Sequence, residues 1–196
     1  MPQREPRSVS SQAADNLVFI RSAMERSSTF TAIPGAGGAV MGAIGLAAAG
    51  IAANQPAGDR WLATWLAAAV TAAGFGLVAM VRKARAAGLS LTGVNARRFA
   101  LGMAAPFVAG AAITYELWAV GNYTVMAPAW LLLYGAGVLT GGIFSVPVVR
   151  VIGVCFMAAG IGAILTPPGW GNAWLGFGFG GLQVCFGVYI ARYHGG

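Results

Sequence analysis

Few residues in this 196-residue chain have side chains and surroundings suited to chemistry. Glu116 is the only acid well inside an apolar tract, in "ITYELWAV" beside Tyr115 and Trp118. An ionisable group within a membrane span is costly, so it is by default a candidate proton or cation site. Its position near the end of its tract fits an interfacial carboxylate as well, because the penalty falls towards the surface. Arg60, in another polar break, is within reach as its partner. Pro106, half a membrane away on the same tract, removes the hydrogen bond to the Gly102 carbonyl and predicts a kink.

The remaining candidates argue against catalysis. His194 is the single histidine and sits in the C-terminal tail. Cys155 and Cys185 both lie in apolar tracts, with no CxxC pair or Cys/His cluster, and read as small buried hydrophobes. There is no Ser/His/Asp set, no paired carboxylate and no metal-ligand spacing. Haem and chlorophyll proteins usually ligate through histidine inside a span, so no cofactor is expected. The pattern points to a non-enzymatic protein.

Tryptophan gives the clearest spacing. "WLATW" at 61–65 and "WGNAW" at 170–174 each place two indoles one helical turn apart. Residues at i and i+4 share a helix face, so each pair makes one aromatic wall. Trp118 and Trp130 lie near the ends of two further tracts. Indole is amphipathic and favours the headgroup level of a bilayer. Trp61, Trp65, Trp118, Trp130, Trp170 and Trp174 are therefore candidate ligand- or lipid-binding residues on one membrane face.

These residues must be positioned by long apolar elements. The chain is 58% hydrophobic and only 9% charged, against about 25% charged in soluble domains. A spanning helix needs roughly 20 mostly apolar residues. Six tracts qualify, at 36–53, 62–81, 99–120, 125–142, 147–165 and 173–191. The break after the second tract carries Arg82, Lys83, Arg85, Arg97 and Arg98 and no acid, whereas the alternate breaks carry only Arg60. That is the positive-inside pattern. It places the basic break and both termini in the cytoplasm, and the indoles at the far face of a cell (inner) membrane. The net charge of +7 is thus a topology signal, and no nucleic-acid partner is expected. The same five basic residues are candidate contacts for anionic headgroups.

The first and last hairpins read alike. "AAGIAANQPAGDRWLATWL" from Ala48 aligns with "AAGIGAILTPPGWGNAWL" from Ala158 with one gap. The middle hairpin is a weaker third copy. GxxxG patterns at 38–42, 137–141 and 176–180 predict close helix contacts, since absent side chains let backbones approach. "GFGFGG" imitates a nucleotide loop, but it lies in an apolar span with no preceding strand. Gln183 reads as hydrogen-bonding glue. Near the N-terminus, Leu17, Ile20, Met24 and Ser27 share a face ahead of Pro34 and Gly35, which predicts an amphipathic interfacial helix.

The expected fold is all-α: a polytopic membrane bundle of six transmembrane helices in three hairpins. Residues 1–34 form a cytoplasmic segment with the amphipathic helix, 35–191 the membrane domain, and 192–196 a cytoplasmic tail. The expected role is an integral membrane scaffold or accessory subunit. It packs through Gly/Ala-rich helices and holds lipid, a partner subunit or further copies of itself at the Trp-lined rim. The competing expectation is a small proton- or cation-coupled transporter or channel, with Glu116 as the coupling carboxylate and Pro106 as its flex point.

Overall fold

The computed structural model describes residues 16–18, 31–88 and 90–193. Of the expected N-terminal amphipathic helix only 16–18 are described, and they are helical and exposed. The rest of that helix and the tail bearing His194 lie outside the described residues.

Six helices follow one another with alternating direction. They are α1 (Gly35–Ala52), α2 (Asp59–Ala86), α3 (Val94–Ala119), α4 (Met126–Gly142), α5 (Pro147–Leu165) and α6 (Pro168–Tyr193). No strand occurs among the described residues. Five of the six are long and apolar enough to cross a membrane; α4, with 17 residues, is shorter. At 1.5 Å per residue α4 spans about 26 Å, a little under a hydrocarbon core of about 30 Å. By contrast α2 and α3 have 28 and 26 residues. Both are longer than such a core, and Arg82, Arg85, Arg97 and Arg98 lie at their adjoining ends.

All six indoles gather at one end of the bundle, and Arg82, Lys83, Arg85, Arg97, Arg98, Arg150 and Arg192 at the other. The two ends are called here the tryptophan end and the arginine end. Gly88 (φ 62°) and Gly121 (φ 70°) terminate α2 and α3 in the left-handed region, where a Cβ would be strained.

Glycine decides which helices touch. Along α1, Gly35, Gly38, Gly42 and Gly45 face α6; a Cβ on Gly42 would lie 2.6 Å from the Val184 nitrogen, and one on Gly45 would meet the Phe179 carbonyl. Between α4 and α5, a Cβ on Gly153 would lie 2.6 Å from the Leu139 nitrogen and 2.8 Å from the Gly135 oxygen. These are backbone-to-backbone seams, the packing that works where lipid supplies no hydrophobic drive. α2 then lies on the far side of α1, and α3 on the far side of α4.

The hairpin pattern is therefore uneven. α1–α2 and α3–α4 pack along their length, but α5 packs chiefly on α4 and α6 chiefly on α1. α5 meets α6 chiefly through the Pro168–Leu182 half. The matching AAGI and WxxxW motifs also fall in unlike surroundings: Trp61 is 6% exposed and its counterpart Trp170 is 58% exposed. α6 widens into π-helical turns over Gly176–Leu182, the "GFGFGG" stretch. The widened turns push the Phe179 carbonyl against Gly45 and turn Phe179 between Tyr134 and Phe156.

Pro106 lies inside a continuous α3. The carbonyl it frees, Gly102 O, lies 2.7 Å from Thr140 Oγ1 on α4. A Cβ on Gly102 would sit 2.9 Å from the Gly141 nitrogen. A neighbouring helix thus satisfies the broken backbone, as an apolar medium demands. Of the cysteines, Cys155 is half-buried and Cys185 is exposed, so Cys185 departs from the buried placement expected of it. A thiol on an apolar helix face meets the same chemistry in lipid as in a core.

Candidate functional site

The tryptophan end is the most heavily cross-linked part of the molecule. Asp59 opens α2, and one of its oxygens accepts two hydrogen bonds. Trp118 Nε1 donates from the last turn of α3 at 3.0 Å, and Tyr123 OH from the α3–α4 turn at 2.5 Å. Gly121 makes this possible by reversing the chain so that Tyr123 points back at α2. The carboxylate raises the pKa of the Tyr123 phenol, chiefly because that hydrogen bond favours the protonated form.

Deeper in, Trp61 stacks on Trp130 with centroids 5.7 Å apart and planes 7° from parallel. Trp130 Nε1 donates to Thr114 Oγ1 at 2.8 Å, joining α4 to α3. The Thr114 hydroxyl in turn donates a hydrogen bond to Gly110 O. Trp65 Nε1 donates to Asn172 Oδ1 at 3.1 Å, and Asn172 Nδ2 donates to Ala49 O at 3.0 Å. One amide at the start of α6 thereby holds both α2 and α1. Trp174 lies over Gly162, where a Cβ would be 2.6 Å from its ring, and donates to Thr166 Oγ1 at 2.8 Å.

The sequence-derived candidates are thus placed as follows. Trp61 and Trp65 are buried, Trp130 and Trp174 half-buried, and Trp118 and Trp170 exposed. The WxxxW pair of α2 faces the bundle, and only Trp118 and Trp170 present large open ring area. Glu116 is exposed on the penultimate turn of α3 and is brought into no polar cluster. The acid that organises this end is Asp59. Sequence reasoning passed over Asp59, Asn172, Thr114 and Thr166. A signal existed: each is a small polar residue within a turn or two of an indole or of its helix start.

The five basic candidates differ in their contacts. Arg82, Arg85 and Arg97 are exposed. Lys83 Nζ donates to Ile33 O at 3.0 Å and pins the start of α1. Arg98 lies over the Phe144 ring at 5.7 Å, at the α4–α5 turn.

Near mid-bundle, Gln183 Nε2 donates to Tyr134 OH at 3.1 Å. Tyr134 stacks on Phe107 and packs against Phe156 and Phe179. This joins α3, α4, α5 and α6 around one half-buried polar pair. No group of His, Cys, Asp or Glu among the described residues could hold a metal ion.

By helix length and composition the chain is a multi-pass membrane protein. No family model, no curated protein and no solved structure matches it. The particular function must therefore be argued from the chain's own geometry.

Proposed function

We propose that this chain is a non-enzymatic integral membrane scaffold or accessory subunit. All six helices cross the bilayer, α4 as a short span, with the arginine end and both termini in the cytoplasm of the cell (inner) membrane. The carrying observation is the exposure of α2 and α3. In their most apolar windows only 6% and 0% of residues are buried, although the other long spans reach 33%. Each of these two long helices packs one face, against α1 or α4, and leaves the rest of its circumference in that window to lipid or to a neighbouring subunit. The clasped tryptophan end holds them in fixed register, with Trp118 and Trp170 as open rings for lipid or a partner.

The carboxylate-coupled transporter reading draws less support. Glu116 is exposed at the end of α3, whereas a coupling carboxylate works from a shielded position where its charge state is costly to change. Native mass spectrometry of the gently extracted chain tests the proposal. A stable complex with lipid, a partner or further copies is expected, and a bare monomer overturns it. Glu116→Gln is expected to leave that assembly intact. Labelling from outside is expected to tag Ala57→Cys and miss Ser90→Cys; the reverse overturns the orientation.

A further inference from the structure

The arginine end of α5 and α6 carries a second feature, independent of the indoles. Because α6 leaves α5 to follow α1, the two helices part beyond Leu182. Two hollows open there, each of about 400 Å³. One runs along a single face of α5 over Pro147, Arg150, Val151 and Val154. The other lies between the helices against Phe186 and Tyr189, and shares Pro147 and Val151 with the first. Both are shallow and open along one side, the form of a surface groove rather than of an enclosed pocket. The walls are mostly apolar; Arg150 borders the first hollow and the Tyr189 phenol the second. An exposed apolar stripe continues from Val151 through Val154 and Ile161 to Leu165 along α5.

We propose that these paired hollows seat one diacyl anionic phospholipid, its two chains on either side of Val151 and its phosphate on Arg150. Charge complementarity selects the headgroup. Among the described residues both acids, Asp59 and Glu116, belong to the tryptophan end, so neither of these carboxylates competes for Arg150. A guanidinium presents a planar fork that matches a phosphate. The length of the stripe selects the tails. Its Val151–Ile161 part rises about 15 Å at 1.5 Å per residue, half of a hydrocarbon core of about 30 Å and so the depth that one leaflet's acyl chains occupy. The proposal rests on the membrane reading but not on the scaffold role.

The test uses the full chain reconstituted in vesicles of equal parts phosphatidylglycerol and phosphatidylcholine, then released for native mass spectrometry. The wild type is expected to retain phosphatidylglycerol about fivefold over phosphatidylcholine, the preference one basic residue gives near a membrane surface. Arg150→Gln is expected to bring that ratio to about one, while Arg192→Gln, outside both hollows, leaves it unchanged. Val151→Trp fills the junction of the hollows and is expected to lower retention of both lipids, with thermal melting unchanged because Val151 is 52% exposed. A preference that survives Arg150→Gln overturns the proposal, because it then belongs to the diffuse charge of the 82–98 break. Lipid retention that survives Val151→Trp also overturns it, as does a change of oligomeric state in that variant, which would make a second copy the occupant. Alkaline carbonate extraction separates the two levels: a chain washed from the vesicles overturns the membrane reading itself.

Discussion

The tryptophan end and the arginine end of this bundle are built on opposite terms. At the first, side chains tie α1, α2 and α6 through Asn172, α2 to α3 through Asp59, and α3 to α4 through Trp130. At the second, Lys83 holds Ile33 and Arg98 covers Phe144, while α5 and α6 stand apart. The difference follows from the two side chains. An indole carries a large apolar body and one N–H that must find an acceptor once the ring is buried. Trp65, Trp118, Trp130 and Trp174 each donate that N–H to a neighbouring helix or its end and so cross-link helices. A guanidinium keeps its head in water or among headgroups and lends chiefly its stem to packing, so it fixes depth and leaves the joining of helices at this end mainly to the glycine seams.

Breaking the shared framework should cost most. Gly153→Leu forces a side chain into the Leu139 backbone at 2.6 Å, where only helix separation relieves the clash. Overpacking of this kind costs about 1–3 kcal/mol and often more. The expected result is a large fall in melting temperature, followed by circular dichroism in detergent. Gly50→Leu, with nothing within 4 Å of its Cβ, should leave the melt unchanged and serves as the control.

Next comes the tryptophan end itself. Asn172→Leu strands the Trp65 N–H and one bond to Ala49 O together, for about 1–3 kcal/mol of lost stability. If the clasp were decorative, this variant would melt with the wild type. Trp130→Phe keeps the stack on Trp61 and removes only the bond to Thr114. Interhelical hydrogen bonds in membranes average about 0.6 kcal/mol, so its melting temperature should drop slightly, and less than that of the Asn172 variant.

The smallest effect sharpens the contrast by pH. The Tyr123 phenol titrates above its ordinary value because Asp59 holds its proton. Its contribution is therefore complete below the unfolded phenol pKa of about 10 and is lost as pH rises through the higher folded value. Spin labels on the first turn of α2 and the last turn of α3 should report a broader distance distribution above that point. Tyr123→Phe should abolish the pH response. The same labels moved to the arginine end should show none.

Much of this was legible from the chain. The alternation of apolar tracts and polar breaks gives the helices to within a few residues, and Gly38, Gly42, Gly137 and Gly141 lie at or beside real helix crossings. Pro106 does free the Gly102 carbonyl, but the sequence did not reveal Thr140 waiting on the next helix. Nor did it reveal Asp59 as the organising acid, because Glu116 stands out more sharply by composition while Asp59 sits in an ordinary polar turn. The repeat misled in one respect: matching motifs predict matching hairpins, yet α5 and α6 took different partners. Glycine faces on α1 and α4 compete for these helices, and local similarity does not rank that competition.

By itself the sequence determined the helices, their apolar length and the segregation of arginine from tryptophan, because backbone satisfaction and side-chain partitioning in a bilayer act residue by residue. Only the tertiary structure decided which helices touch, which indoles turn inward and where a groove is left. Those outcomes depend on backbones approaching within van der Waals range, and that is a property of pairs of helices rather than of any one segment.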